Sequence, residues 1–388
     1  MPLHPAYAQV TALLLAVVVL IAGNGLLNTL VPLSAMTVGF SELTIGLIGS
    51  SYSGGMFIGC IATPRIVARA GHIRAFAALA AVATATALAH PLMPEPVAWA
   101  MIRAVTGFCF AGLYATIESW LHDKAENAVR GQVLALYQIV HYVGSAAGQQ
   151  MIRLAPPGAF ALFSASAMAF ALSVLPLAFT RTDPPTPPPV PRLRLAWLYR
   201  LSPVAVIGVL AAGAANGTLW ALGPVFATAS GLDPAGVATF MTATILAAAL
   251  VQWPIGRLAD RADRRLVMLC AMAVACAAEA ALVAFASSGP ATLILLAGAV
   301  GASALVLYPL ASGHAADLAG RENMVEISTG LLLTYTIGAI VGPTLAAALM
   351  TRTVPAALFV HNGAIHFALV LFVIWRLWRR PPKRESAP

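Results

Sequence analysis

An all-helical membrane protein, with twelve transmembrane helices in two parallel six-helix repeats, is the fold class this sequence predicts. Three observations lead there. Apolar residues make up 60% of the 388 positions and charged residues 9%, where a soluble domain carries about 25% charged residues. The apolar residues gather in unbroken runs, such as VTALLLAVVVLIAG from position 10, and about 20 such residues in a helix cross a hydrocarbon core. The pattern N-G-x-L-x-x-L-x-P occurs at 24–32 and again at 216–224, so one polar-and-glycine signature is written twice.

The runs are read as helices because a backbone in lipid must satisfy its own hydrogen bonds. The alternation of a membrane barrel is absent. Mean hydropathy is +0.85. Spans are expected at 8–31, 43–66, 73–94, 97–121, 130–154, 158–180, 202–226, 236–256, 265–287, 291–316, 324–350 and 355–378, with breaks at proline, glycine or charge clusters. The first run has no basic residue ahead of it and no small-residue cleavage site behind it, so it is read as a span and not as a leader. Between the sixth and seventh spans lies RTDPPTPPPVPRLRLAWLYR, whose proline-rich part cannot be helical. The expected organisation is a first bundle over 1–180, a linker over 181–201, a second bundle over 202–380 and a tail over 381–388.

Orientation follows from the basic residues. Of 22 lysines and arginines, 19 fall on the side of the linker and the two termini; the exceptions are Arg103, within a span, and Arg153 and Arg352 on the other side. The positive-inside rule then puts both termini in the cytoplasm. The net charge of +8 is thus an orientation signal and a contact with anionic lipid, not a nucleic-acid surface. The four cysteines, Cys60, Cys109, Cys270 and Cys276, show no metal spacing and are expected to be small apolar core residues. No metal site and no cofactor is expected.

The repeat extends beyond its opening match. At the offset of 192, Arg65, Arg69 and Ala70 fall on Arg257, Arg261 and Ala262; at 194, Leu113 and Tyr114 fall on Leu307 and Tyr308, Asp123 on Asp317, Gly144 on Gly338 and Gly148 on Gly342. Spans one, two, four and five thus recur as seven, eight, ten and eleven. A six-span repeat keeps its orientation in the membrane, so the halves are related by an axis along the membrane normal.

The segment GRLADRADRR at 256–265 resembles the loop motif of the major facilitator superfamily. The stretch from Glu118 to Gln149 resembles its YcaD-like bacterial branch, through Glu118, Ser119, Trp120, Leu121, Arg130, Gly131, Leu134, Tyr137, Tyr142, Gly144, Gly148 and Gln149. The resemblance implies two bundles around a midplane site, in a bacterial inner membrane. It also implies a cytoplasmic gate in which Asp260 and Arg261 lock helix ends, with Asp317 near Arg261, and in which Arg69 pairs with Asp123 or Glu118. The first-half loop reads PRIVARAGHIR, with Pro64 at the motif's glycine and Ala68 at its aspartate.

Polar residues inside the spans need partners or water. Asn24 and Asn28, four apart, share a face of span one; Asn216 and Trp220 hold the matching places in span seven. With Gln138, His141 and Tyr335 they form the expected substrate-cavity lining, the competing reading being interhelical packing. Gly25 and Gly217 beside the amides, and Gly144, Gly148, Gly338 and Gly342, suit close helix approach. Pro32 and Pro224 are expected to end or bend the outer parts of their helices. The family's antiporter signature has a proline after the second glycine of span five. Here a proline stands only in span eleven, and Gln149 takes its place in span five.

Arg103, Glu118 and His141 are the proton-coupling candidates. An unperturbed imidazole titrates near about pH 6.5, so His141 carries a coupling proton or stays a neutral core histidine. Arg103 begins R-x-x-x-G, which resembles a superfamily motif tied to proton coupling; the other reading has it snorkelling outward. Glu118 accepts a proton or locks to Arg69 or Arg130. Glu279, with His361 and Asn362 at similar depth, is expected to form a peripheral structural pair. No phosphate-binding loop, zinc-protease helix or nucleophile elbow occurs, so an enzyme is not expected. The expected function is a secondary active transporter for a small, neutral or amphiphilic molecule, working by alternating access as a proton-coupled monomer. The alternatives are a passive facilitator and a non-transporting scaffold or receptor.

Overall fold

The computed structural model describes residues 5–124, 130–179, 194–319 and 323–379; for 5–10, 122–124, 130 and 131 the backbone alone is described. The tail at 381–388, most of the linker, and the basic residues Arg181, Arg192, Arg321, Arg380, Lys383 and Arg384 lie outside the described residues.

The helices are α1 (Pro5–Val38), α2 (Glu42–Ala70), α3 (His72–Leu92), α4 (Pro96–Lys124), α5 (Arg130–Gln150), α6 (Phe160–Leu172), α7 (Leu175–Ala178), α8 (Leu195–Leu201), α9 (Pro203–Ala229), α10 (Pro234–Arg261), α11 (Arg264–Ala284), α12 (Pro290–Ala304), α13 (Leu307–Asp317), α14 (Met324–Arg352) and α15 (Ala357–Arg379). Spans six and ten are each broken in two, as α6 with α7 and α12 with α13. Proline explains both breaks. Pro176 and Pro309 have no N–H for the carbonyls of Leu172 and Leu305, four residues earlier, and the ladder lapses there. Pro32 and Pro224 do not end their helices: α1 runs on to Val38 and α9 to Ala229. Part of the expected linker, Leu195–Leu201, is itself helical.

Eleven spans, with α6–α7 and α12–α13 taken as one each, are long and apolar enough to cross a membrane, counted among the described residues. The twelfth expected span, α5, falls below that standard because its inward face carries Gln138, His141, Tyr142 and Gln149.

The repeat is visible in backbone geometry. Gly39 and Gly231 turn the chain after α1 and α9 with φ of 88° and 90°, a left-handed conformation that glycine adopts without strain. Phe40 N donates to Ala35 O at 2.9 Å, and Leu232 N to Ala227 O at 3.1 Å, bonds at matched positions. Two residues on, Ser41 caps α2 through Thr44 N and Asp233 caps α10 through Gly236 N. Within the halves, α1 packs on α5 as α9 packs on α14, and α2 packs on α4 as α10 packs on α12.

The loops at 39–41, 93–95, 155–159, 230–233, 285–289 and 353–356 share one face, here the far face; the opposite one is the linker face. Across the halves, α2 meets α14 and α5 meets α10. Toward the far face these contacts form a polar seam. Ser50 and Thr344 share a hydrogen bond of 2.8 Å. Gln150 Nε2 donates to Thr242 Oγ1 at 2.7 Å, and Arg153 Nη2 to Thr239 Oγ1 at 2.7 Å. Deeper in, the Tyr142 hydroxyl donates to Gln252 Oε1.

At the edge of the second half, Glu279 Oε2 lies 2.9 Å from His366 Nδ1, both side chains fully buried. The expected partners were His361 and Asn362, which instead meet each other, His361 Nδ1 lying 3.1 Å from Asn362 Oδ1. Helix geometry accounts for the difference. Asn362 and His366 are four apart and face inward together, while His361 sits outside that stripe. Asn362 Nδ2 donates to Ala215 O at 3.0 Å, tying this cluster to α9. Cys270, expected in the core, is exposed; Cys109 is buried and Cys60 and Cys276 are half-buried.

Candidate functional site

Two cavities meet between the halves. The central one, about 300 Å³, is lined by Asn24, Asn28, Tyr52, Arg103, Tyr114, His141, Gln149, Trp220 and Tyr335 among others. The second, about 730 Å³, continues past Gln138, Tyr142, Asn216, Gln252 and Tyr308 to Pro64, Glu118 and Val325 near the linker face. Met56, Tyr114, His141 and Tyr335 line both. The cleft is therefore sealed toward the far face by the seam and runs from the centre toward the linker face.

Helix pitch puts these groups together. Asn24 lies mid-way along α1, and its Nδ2 donates to the Tyr114 hydroxyl of α4 at 3.0 Å. In the second half Asn216 bonds the Tyr335 hydroxyl of α14. Aromatic partners repeat as well. Tyr114 and His141 have ring centroids 5.9 Å apart, and Tyr308 and Tyr335 5.5 Å. His141 and Tyr335 hold matching places at the 194 offset, so an imidazole stands in one cluster where a phenol stands in the other, and the amide that bonds Tyr114 in the first half bonds Tyr335, not Tyr308, in the second. His141 is also ringed by Tyr137 and Tyr142, at 6.3 and 6.2 Å.

Asn24 and Asn216 are each 5% exposed. Their Oδ1 atoms have no partner in the protein; nor do Gln149 Oε1, His141 Nδ1 and Arg103 Nη1. Each amide thus bonds a neighbouring helix with one end, or none, and leaves a polar end free. Buried polar atoms without partners cost about 1–3 kcal/mol each; such atoms gather here and also occur away from the cleft, at His90 Nε2 and Ser166 Oγ.

All seven residues expected to line a substrate cavity do line one of the two cavities. Of the coupling candidates, Arg103 does not snorkel. Its Nη2 donates to Asn28 Oδ1 at 2.9 Å and its guanidinium lies 4.3 Å from the Tyr52 ring centroid. Neutral acceptors on α1 and α2 draw it inward. Glu118 lines the second cavity and forms no ion pair with Arg69. Sequence reasoning missed Tyr52, Gln149 and Gln252 as lining, and treated Tyr114 and Tyr308 only as repeat markers. Their recurrence at one offset was the available signal.

The gate differs from expectation. Asp260 and Asp317 do come together, but on Arg264, not Arg261. Arg264 Nε meets Asp317 Oδ2 at 2.6 Å and its Nη2 meets Asp260 Oδ1 at 2.8 Å. The reason is position: Arg264 starts α11 four residues after Asp260 and beside the end of α13, while Arg261 ends α10 and faces outward. Arg69 and Arg261 form no ion pair among the described residues, and the Asp123 and Arg130 side chains lie outside them. Asp263 caps α11 and bonds Arg265 Nη2 at 2.6 Å; that bond holds its carboxyl below the ordinary aspartate value. The pair's contribution to stability is thus present at neutral pH and lost as pH falls through the lowered value.

Two parallel six-span halves around a buried polar cleft are the architecture of a membrane transporter. A sequence profile of the Major Facilitator Superfamily matches residues 13–240 and 204–388, and the chain belongs to that family. An uncharacterized MFS-type transporter of Enterobacter sp. (strain 638) is 30% identical over 96% of this chain and 97% of its own length. The uncharacterized MFS-type transporter YcaD of Escherichia coli (strain K12) is 29% identical over 95% of this chain and 96% of its own. The crystal structure of the nucleoside transporter NupG superposes with a TM-score of 0.79 at 15% identity, covering 94% of this chain and 98% of that one. A bacterial homolog of the human lysosomal transporter Spinster, inward-facing and occupied, gives 0.73 at 14% identity, covering 96% and 95%. The last two likenesses concern the fold alone.

Proposed function

We propose that this chain is a proton-coupled secondary active transporter that moves a small, neutral or amphiphilic molecule across the bacterial inner membrane by alternating access, as a monomer with both termini cytoplasmic. The observation that carries the reading is the cleft itself: polar groups at repeat-matched places, closed on one face and continuous toward the other. With the linker face cytoplasmic, as the basic residues indicate, this arrangement is the inward-open state. The 1–180 and 202–380 bundles rock about the cleft, and the seam at Ser50, Thr344, Gln150 and Arg153 is what parts when the far face opens. Relatives named as transporters support a carrier over an enzyme.

Asn24, Asn28, Gln138, Asn216, Trp220 and Tyr335 contact the solute in this reading. Arg69, Asp260, Arg261 and Asp317, with Arg264, bias the cytoplasmic mouth; the bases left unpaired in this state are available to pair when it closes. Arg103 and Glu118 supply charge at the two ends of the first half's cleft wall.

The test uses two pairs of spin labels. One pair replaces Ala68 and Ala262 on the linker face, the other Leu43 and Thr351 on the far face, and distances are recorded at pH 8 and pH 6. Opposite changes in the two pairs are expected. Two static pairs, or two that move in the same sense, would leave the alternating-access reading without support.

His141 is the favoured proton carrier because it stands at the junction of both cavities with a free ring nitrogen, facing Tyr114, Tyr137 and Tyr142. His141→Ala is expected to abolish pH-driven counterflow in proteoliposomes while the protein stays folded. Proton dependence that survives the substitution removes His141 from the mechanism, and pH-independent flux in the wild type identifies a passive facilitator.

A further inference from the structure

The blind end of the central cavity holds an unusual charge. Arg103 is 6% exposed, yet it forms no ion pair among the described residues. Its contacts are neutral, Asn28 and Tyr52. Of the acids on α4, Glu118 is fifteen residues along the helix, roughly 22 Å away at 1.5 Å per residue, and Asp123 is farther still. Glu279 is committed to His366 in the other half. A buried charge is tolerated when it is paired or hydrogen-bonded on most of its protons, and here Nη1 has no acceptor. One cation therefore stands uncompensated in the wall of a cavity.

The other free groups have the opposite character. Asn24 Oδ1, Gln149 Oε1 and Asn216 Oδ1 are acceptors without donors. The rest of the central wall, including Ile21, Val31, Ile45 and Ile48, is apolar. The volume of about 300 Å³ stands at the lower end of the roughly 300–1,000 Å³ range of small-molecule sites.

We propose that the transported solute is a small organic acid, whose single oxyanion docks on Arg103 at the closed end of the cleft while hydrogen-bond donors on its apolar body meet the free amide oxygens. The proposal rests on the transporter reading and narrows its substrate from a neutral or amphiphilic molecule to an amphiphilic anion. The guanidinium suits a carboxylate because Nη1 and the second Nη2 proton can serve both oxygens, the geometry that makes such pairs strong. Asn28 holds the fork in place by occupying the remaining Nη2 proton. The acid enters head first from the linker face, and its charge replaces the missing counter-ion.

The experiment measures thermal unfolding of the purified full chain with matched ligands: lactate and lactamide, mandelate and mandelamide, phenyllactate and its amide, and phenyl phosphate. At least one acid is expected to raise Tm by about 2 °C or more, a shift of the size that about 1 kcal/mol produces in a large domain, while its amide does not. In Arg103→Met the shift vanishes, and the unliganded protein unfolds no lower than wild type, since an uncompensated charge has been removed. Arg103→Lys keeps acid selectivity with weaker affinity, because the charge remains and the fork does not. A shift from phenyl phosphate with none of the carboxylates acting overturns the inference. The inference is overturned if amides act as well as acids, if the acid shift survives Arg103→Met, if no acid acts on wild type, or if Arg103→Met lowers the unliganded Tm as loss of a structural strut would. Spin-label pairs that move in opposite senses while the acids fail would retain the carrier and reject the acid; static pairs with an acid-specific shift would do the reverse.

Discussion

Gly148→Leu is expected to abolish recovery of folded protein, whereas Gly54→Leu, in the same half, is tolerated. At Gly148 an added Cβ would fall 1.9 Å from the Ala22 carbonyl oxygen and 2.9 Å from Ala22 Cα; at Gly54 it would meet nothing within 4 Å. The obstacle at Gly148 is backbone, so no rotamer change relieves it. Nor can α1 retreat, because it is packed on its other sides by α6 and α9. Overpacking typically costs about 1–3 kcal/mol where side chains can adjust, and more where they cannot. The repeat supplies a second instance: Gly342 stands 2.3 Å, by the same measure, from Ala214 O. Size-exclusion profiles of the purified variants check the expectation. A monodisperse, cooperatively unfolding Gly148→Leu protein would show that the α1–α5 contact is softer than its geometry indicates.

Gly46→Leu presents a similar clash with a different expected result. Its Cβ would lie 2.4 Å from Ala347 Cβ and 2.7 Å from Pro343 O, but these neighbours belong to the other half. If the seam between α2 and α14 parts during transport, the larger side chain is accommodated there, and the protein stays folded with its far face held open. A penalty of about 1–3 kcal/mol on the sealed state shifts the balance by roughly 5–150-fold. A cysteine replacing Ser53 in the central cavity should then react with an impermeant maleimide from the far side. Native Cys60, which lines the second cavity, should lose reactivity from the linker side, and flux should fall by about tenfold or more. Unchanged labelling from both sides, with cooperative unfolding retained, would contradict a moving seam.

The different expectations at two crowded glycines reflect what sequence patterns convey. Periodic apolar runs and the duplicated signature made the twelve-helix class legible, because the hydrocarbon leaves a backbone few options. The polar lining was legible for the same reason: an amide inside a span needs an explanation, and Asn24, Asn28, Asn216, His141 and Tyr335 all reach the cleft. Side-chain direction was less legible. Arg103 sits close enough to a helix end to reach water, and only the positions of Asn28 and Tyr52 on other helices turn it inward. The arginine of the gate was misjudged because the loop motif offers four arginines within nine residues, and the end of α13 decides which one meets Asp317. Glu279 found His366 instead of His361 or Asn362 because inward-facing stripes depend on where α15 presents its buried face. Tyr114 and Tyr308 were visible as repeats, but aromatic residues are common in spans, and their hydroxyls acquire meaning only beside the amides.

The modest apolar character of α5 has a consequence for biogenesis. A segment carrying glutamines, a histidine and a tyrosine on one side has little reason to leave the translocation machinery for lipid by itself. Its neighbour α1 is strongly apolar and is made first. The fifth helix would then partition into the bilayer only once α1 offers it a partner, which makes the close glycine approach between them a condition of membrane integration as well as of the finished architecture.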